Sequence, residues 1–100
     1  MEPVLRFEWD AAKAESNLRK HGISFATATR VFNDPFVVTI QDRIEGYEHR
    51  WQSFGMVAGF PLLMVAHVDR EEDGQEVIRI VSARLATPKE RRRYGKDRQI

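Results

Sequence analysis

The fold is decided by the stretch Val77-Ile78-Arg79-Ile80-Val81-Ser82-Ala83-Arg84, which continues as Leu85-Ala86-Thr87-Pro88-Lys89-Glu90-Arg91-Arg92-Arg93-Tyr94. In its first half, β-branched side chains recur with a period of two, and this period predicts a strand. In its second half, Thr87 suits a helix N-cap and Pro88 suits the first helical position. A strand is therefore expected to run directly into a short, very basic helix.

The basic residues are concentrated at this end of the chain. Residues 79–98 contain eight Lys/Arg and two acidic residues, whereas residues 1–78 contain eight Lys/Arg and thirteen acidic residues. This asymmetry favours an anionic partner such as a nucleic acid. The alternative is an ordinary strand followed by a solvated basic helix that only improves solubility.

The composition of the chain excludes several classes of function. One hundred residues predict a single domain spanning 1–100. The absence of cysteine excludes disulfides, thiolate zinc sites and thiol catalysis. The three histidines lack metal-ligand spacing, and residues 69–73 are interpreted as a solvated acidic loop, so no metal and no cofactor are predicted. No apolar run is long enough to span a membrane.

The first third of the chain has helical patterns. Asp10 suits an N-cap for a helix over 11–20, which Gly22 ends, and Ser24 suits an N-cap for a second helix over 25–32. Asn33-Asp34-Pro35 stops the second helix. The expected core anchors are Phe25, Val31 and Phe32. Residues 4–9 alternate and fit either an edge strand or an extended lead-in.

After Pro35 the period changes from helical to two. Strands are predicted over 36–41, 48–56, 61–68 and 77–84, with loops at 42–47, 57–60 and 70–75. Helices followed by strands indicate an α+β class. The predicted architecture is two N-terminal helices on a four-stranded antiparallel sheet, followed by a short C-terminal helix after Pro88.

Five motifs occur together in this order: Phe7-Glu8-Trp9-Asp10, Asn17-Leu18-Arg19-Lys20-His21-Gly22-Ile23-Ser24-Phe25, Phe32-x-Asp34-Pro35, Glu48-x-Arg50-Trp51, and Ile78-Arg79-Ile80-Val81-Ser82-Ala83-Arg84-x-Ala86-Thr87-x-Lys89-Glu90-Arg91-x-x-Tyr94. From about Phe7 to Tyr94 the chain resembles the BrnT family of toxins from bacterial type II toxin–antitoxin pairs. It departs from the family pattern at Thr27, where an acidic residue is common, and in the longer acidic loop 71–75.

The resemblance implies a RelE-like fold and a cytoplasmic ribonuclease that inhibits translation and growth, with RNA bound either free or on the ribosome. It also implies neutralisation by a BrnA-type antitoxin, with operator DNA bound only through that antitoxin. Two other functions stay open. One is a non-catalytic RNA- or DNA-binding regulator, and the other is an interaction module that only holds the antitoxin.

A metal-independent ribonuclease must deprotonate a 2′-OH, stabilise an anionic phosphate and protonate the departing 5′-oxygen. Arg50, Arg79 and Arg84 are the candidates for phosphate stabilisation, because a guanidinium matches two phosphate oxygens. A cross-strand ion pair is the alternative for each arginine. Glu48 is interpreted as the general base or as a residue that orients Arg50. Tyr94 is expected to stack on a base, to assist proton transfer, or to pack the last helix onto the sheet.

Cationic residues outside this catalytic set are predicted to contact RNA phosphates, although several of them are expected to be solvated. His67 has the alternative of a structural role, and His21 is interpreted as a residue of the helix end. Trp9 and Trp51 are interpreted as apolar anchors, with base stacking as the alternative. The predicted RNA contacts are Lys20, His67, Lys89, Arg91, Arg92 and Arg93.

Overall fold

A computed structural model describes residues 5–95 of the chain. The elements follow the order β1 (Leu5–Glu8), α1 (Ala11–His21), α2 (Phe25–Thr29), a 3₁₀ helix (Arg30–Asn33), β2 (Val38–Glu45), β3 (Glu48–Gly55), β4 (Leu63–Glu72), β5 (Gln75–Leu85) and α3 (Pro88–Tyr94). The predicted α+β class and the helix after Pro88 are confirmed. Within residues 5–95, no helix is both long and apolar enough to cross a membrane.

The sheet has five strands in the order β1-β5-β4-β3-β2. Strands β2 to β5 form the predicted antiparallel meander, but β1 adds a fifth strand that runs parallel to β5. The predicted four-stranded, purely antiparallel sheet was therefore wrong in this detail. The alternation of residues 4–9 fits a strand or a lead-in equally, and its distant partner on β5 leaves no local signal.

Two predicted loops are mostly strand. β2 continues to Glu45 and β3 begins at Glu48, while β4 continues to Glu72 and β5 begins at Gln75, so each connection is a two-residue turn. In the second turn both Asp73 and Gly74 have positive φ, as a tight hairpin requires. The prediction failed because these hairpin ends project into solvent, and strand residues exposed on both faces look like loop residues.

The main core lies between the helices and one face of the sheet. Val31 from the 3₁₀ helix is fully buried, and a Cβ on Gly55 would lie 2.8 Å from both its side chain and its carbonyl oxygen. The 3₁₀ helix therefore rests directly on β3. The second predicted helix ends as α-helix at Thr29, because the chain tightens into a 3₁₀ turn before Pro35. The buried core residues include Ile23, Phe25, Ala28, Val31, Leu63, Val65, Ile78, Ile80 and Ala83.

A smaller cluster lies on the opposite face, under α3. Phe54, Leu62, Met64 and Ala86 are buried there, and the Tyr94 ring stacks on Phe54 with centroids 4.3 Å apart. Helix α3 begins with a capping box, in which Thr87 and Glu90 each bond the other's backbone N–H. Helix α3 thus covers only one end of this face, which we call the open face.

Candidate active site

The strand register defines rows of side chains across the open face, because residues paired directly on neighbouring strands point to the same side. The first row is Arg43, Arg50, Val68, Arg79 and Glu8, crossing all five strands. The second row is Ile40, Gln52, Ala66 and Ser82, and the third is Val38, Phe54, Met64 and Arg84. The middle row therefore has three arginines on one side, in the first row, and Arg84 on the other side, in the third row.

A groove of about 380 Å³ follows this middle row. The small side chains of Ala66 and Ser82 lie in the groove together with Gln52, and Arg50 and Arg84 line it from the two flanking rows. The rows of Arg50 and Arg84 are four residues apart along a strand, or about 13 Å. The two arginines therefore border the groove from opposite sides.

Two β-bulges border the groove. The β2–β3 register shifts between Gln41 and Arg43, so Asp42 has no cross-strand partner, and the β4–β5 register shifts so that Val81 has none. Both unpartnered residues line the groove, together with Arg43. Bulges redirect side chains and commonly occur beside active sites.

Arg84 is held by α3. Its two terminal nitrogens lie 2.8 and 3.2 Å from the two carboxylate oxygens of Glu90, which also accepts a hydrogen bond from the Thr87 N–H. The hydrogen bond from Arg84 is the main reason that the pKa of Glu90 is lowered. Helix capping and arginine orientation therefore depend on the same carboxylate.

Arg50 is held less completely. Its Nε lies 2.9 Å from Glu45 Oε2, but the two groups are not aligned as a hydrogen bond. Among the side-chain polar atoms of residues 5–95, this Nε is the buried one without a hydrogen-bond partner. A hydrogen bond weakens steeply when its donor and acceptor are misaligned, so the short distance alone does not make one. Arg50 is thus held by charge attraction to Glu45 rather than by an aligned hydrogen bond.

Arg79 stands in the row of Arg50 but belongs to a separate ion-pair network. Its Nη1 lies 3.0 Å from Glu8, and Arg70 donates two hydrogen bonds to the same carboxylate at 2.6 and 2.8 Å. The hydrogen bond from Arg70, aided by that from Arg79, lowers the pKa of Glu8 to about 2. Arg79 does not contribute to the groove lining. Arg50 and Arg79 therefore have the cross-strand ion pairs of the alternative interpretation. Arg84 is instead ion-paired with a residue of α3.

Glu48 is not a partner of these arginines in any contact of the described residues. It begins β3 at the exposed end of the β2–β3 hairpin, directly opposite Glu45. It does not line the groove, whereas Asp42 does. The groove lined by Arg50 and Arg84 thus contains the carboxylate of Asp42 and not that of the predicted base Glu48.

Helix α3 borders a second depression of about 250 Å³, which shares Gln52 with the groove. Lys89, Arg93 and Tyr94 line it, and the Arg93 guanidinium carbon lies 5.4 Å from the Tyr94 ring centroid. Tyr94 therefore packs α3 onto the sheet and also faces this depression. Arg91 donates to the Ala86 carbonyl, and Arg92 is exposed; neither lines the depression.

His67, a predicted RNA contact, contributes to the groove lining, but its side chain is almost completely buried. Its side chain is 1% exposed, and its ring packs edge-on against Phe32 at 5.1 Å. A chain of hydrogen bonds joins Thr39 to Ser53, Ser53 to His67 and His67 to Asp69, at 2.7, 2.7 and 2.6 Å. These are the residue types of a hydrolytic triad, but Ser53 is fully buried and has no access to a substrate. We interpret the chain as structural.

Sequence reasoning missed Asp42, Arg43 and Ser82 as groove residues. The segment 42–47 looked like a loop, and a bulge such as the one at Val81 depends on pairing between distant residues. Trp9 is partly exposed and contacts Phe25 edge-on at 6.0 Å, as an apolar anchor would. In the described part of the chain, no three His, Asp or Glu side chains come together in a group suited to hold a metal ion.

Comparisons with known proteins identify the family to which this chain belongs. A comparison with curated proteins returned no match. A family model described as the ribonuclease toxin BrnT of a type II toxin–antitoxin system matches residues 9–90. The match includes Arg50, Arg79, Arg84 and Glu90 and ends before Tyr94. Because it covers most of the chain, the chain belongs to the BrnT family of ribonuclease toxins of type II toxin–antitoxin systems.

Proposed function

We propose that this chain is an endoribonuclease that cleaves RNA in the groove of the open face, without a metal ion or other cofactor. The observation that carries the proposal is the approach of Arg50 and Arg84 to one groove from opposite sides. A phosphate lying over Ala66 and Ser82 meets both guanidinium groups. Arginine donors of this kind stabilise the negative charge that grows in the transition state.

The proposed reaction is attack of the neighbouring 2′-oxygen on the phosphorus atom. The bond from phosphorus to the 5′-oxygen breaks, and the departing 5′-oxygen takes a proton from solvent water. One product then carries a 2′,3′-cyclic phosphate and the other a 5′-hydroxyl. Asp42 replaces Glu48 as our candidate to accept the 2′-OH proton, because it lines the groove. A carboxylate oxygen within hydrogen-bond reach of a 2′-OH can serve as its general base.

The other predicted residues are assigned to substrate binding. Tyr94 and Gln52 face the depression next to the groove, where a flanking base would stack. Lys89 and Arg93 face the same depression and would contact phosphates. Arg79 would extend the cationic row beyond Arg50, and the exposed Arg91 and Arg92 would add weaker, non-specific attraction.

The partners follow from the family. We propose that cleavage, on the ribosome or on free RNA, inhibits translation and growth, and that a BrnA-type antitoxin neutralises the toxin in the cytoplasm. Operator DNA would be bound only through the antitoxin. The RelE-like character of the fold stays a prediction of the resemblance.

Cleavage of a defined RNA in excess EDTA, with end-group analysis, tests the mechanism. We expect full activity, a 2′,3′-cyclic phosphate product, and no cleavage when the nucleotide at the cut site lacks its 2′-OH. Activity lost in EDTA and restored by a divalent ion, or retained on the deoxy substrate, would refute it.

Expression of the chain with and without a co-expressed antitoxin separates the toxin from the two other functions. A ribonuclease toxin arrests growth when expressed alone, and the antitoxin relieves the arrest. A regulator binds nucleic acid without arresting growth, and an interaction module binds only the antitoxin. Either of those results, with a folded protein, would replace the proposal.

A further inference from the structure

We propose a second phosphate-binding site on α1, which holds the RNA strand where it leaves the catalytic groove. This inference rests on the proposed ribonuclease function. The site is a cavity of about 350 Å³ between α1 and the edge of β5. It is lined by Lys13, Ser16, Lys20 and His21 from α1 and by Val81 and Ser82 from β5.

The cavity is continuous with the groove. Val81 and Ser82 line both of them, so the bulged segment of β5 forms the wall between the two. In the described residues β1 pairs with β5 only as far as Arg79. Beyond Arg79, α1 rather than a described strand lies beside this edge of β5. A strand of RNA crossing Ser82 therefore passes from Arg50 and Arg84 to the lysines of α1.

Asn17 fixes α1 at this edge. Its side-chain amide donates to the Ala83 and Ile23 carbonyls at 2.8 and 3.0 Å, and its oxygen accepts from the Ala83 N–H at 3.1 Å. All three bonds are buried. Lys13 and Lys20 lie four residues before and three residues after Asn17, so they share its helix face. Both cations are thus presented on a clamped surface beside β5.

The chemistry of the cavity favours RNA over a protein segment. Its charged lining residues in the described chain are all basic, and it adds the Ser16 and Ser82 hydroxyls as donors. Protein interfaces are instead centred on large aromatic and aliphatic anchors. Among the described residues of this lining, the one aromatic side chain is His21, and the largest aliphatic side chain is Val81. Lysines and hydroxyl groups spaced along a strand are the donors that phosphates use.

The test compares two RNAs that carry a 2′-O-methyl group at the cut site and so cannot be cleaved. One is a dinucleotide that fills the groove alone, and the other has about eight nucleotides, within the site size of single-strand binders. Wild type is compared with Lys13→Gln/Lys20→Gln. The matched control is Arg19→Gln/Arg30→Gln, because it removes the same charge from exposed positions that line neither the groove nor this cavity.

We expect the lysine double variant to bind the dinucleotide as wild type does. For the longer RNA, we expect the slope of log affinity against log salt to fall by about 1.4 in magnitude, or about 0.7 for each lost phosphate contact. The control should keep nearly the wild-type slope. A longer-RNA slope unchanged in the lysine variant, or lowered equally in the control, would overturn the second site.

The failure of this site and the failure of the proposed function are distinguishable. Suppose that Arg84→Gln abolishes binding of both RNAs while the lysine variant matches wild type. RNA then binds in the groove, and the second site is refuted. If the wild-type protein binds neither RNA, both the proposed ribonuclease function and the second site are refuted. If the lysine variant loses antitoxin binding but keeps its RNA slope, the cavity is a protein contact and the proposal is overturned.

Discussion

The two faces of this sheet are made by the same strands and differ in how their polar groups are satisfied. On the helix-covered face, Asn17, Ser53 and His67 are buried and bonded to protein groups. On the open face, Arg50 and Arg84 remain partly exposed, and each is ion-paired with one carboxylate. A fully satisfied buried network contributes to stability, whereas an exposed ion pair contributes little and leaves its cation available to a ligand.

This difference predicts that substitutions on the open face change activity and those on the covered face change stability. Adjacent residues of one strand test it well, because the period of two sends them to opposite faces. Four predictions follow this comparison, from the largest expected effect to the smallest.

Arg84→Gln should lower the RNA cleavage rate by about 10²–10³, as removal of one donor to a transition-state charge typically does. The thermal midpoint should change little, since Glu90 still caps α3 through Thr87. Arg19→Gln is the control, because Arg19 pairs with Glu15 on the exposed side of α1. Wild-type cleavage by a folded Arg84→Gln protein would show that the groove is not the active site.

His67→Ala should lower the free energy of unfolding by about 2–4 kcal/mol, because it opens a cavity beside Phe32 and removes the hydrogen bonds from His67 to the buried Ser53 and to Asp69. Urea unfolding measures this loss. The cleavage rate per folded molecule should stay near that of wild type. His49→Ala, at an exposed position of β3, should cost much less. Lost cleavage with unchanged stability would instead give His67 a role in the reaction.

Arg79→Ala should lower cleavage by about tenfold at low salt, and by less at moderate salt, because it extends the cationic row without lining the groove. Rates for Arg79→Ala and Arg84→Ala at two salt concentrations make the comparison. A loss for Arg79→Ala as large as that for Arg84→Ala at both concentrations would place the reacting phosphate nearer to β1 than we propose.

Acid should weaken the Glu8 network on the open face. The pKa of Glu8 is lowered from 4.5 to about 2, so the unfolded chain binds more protons than the folded chain between these values. The stabilisation by Glu8 is therefore present above about pH 4.5 and is lost as pH falls toward 2. The difference in urea midpoint between wild type and Glu8→Gln should shrink over that interval. A constant difference would mean that the ion pairs with Arg70 and Arg79 do not stabilise the fold.

Sequence patterns were sufficient for most of the fold, and the exceptions have physical causes. Periods of 3.6 and 2 identified the helices and the four antiparallel strands because each buries one face. Strand β1 stayed open between an edge strand and a lead-in, since it depends on a distant partner. The hairpin ends were predicted as loops, since the ends of β2 and β4 are exposed on both faces.

The site was predicted in part for similar reasons. Arginines on apolar strands, Arg50 and Arg84, stood out from their neighbours and do line one groove. Asp42 and Arg43 did not stand out, because the bulge that directs them depends on the register between β2 and β3. The sequence left His67 open between an RNA contact and a structural role, because its partners Ser53 and Asp69 are brought to it only by the folded sheet.

The most direct test of the central claim uses methyl groups of β4 that point to opposite faces. Met64 and Ala66 line the groove, whereas Leu63 and Val65 are buried against the helices. Methyl resonances are measured by NMR while the uncleavable RNA of about eight nucleotides is added. We predict that the Met64 and Ala66 methyl resonances shift with saturation while those of Leu63 and Val65 stay nearly fixed. Saturable RNA binding that leaves the Met64 and Ala66 resonances unmoved would contradict the claim that RNA is bound and cleaved on the open face.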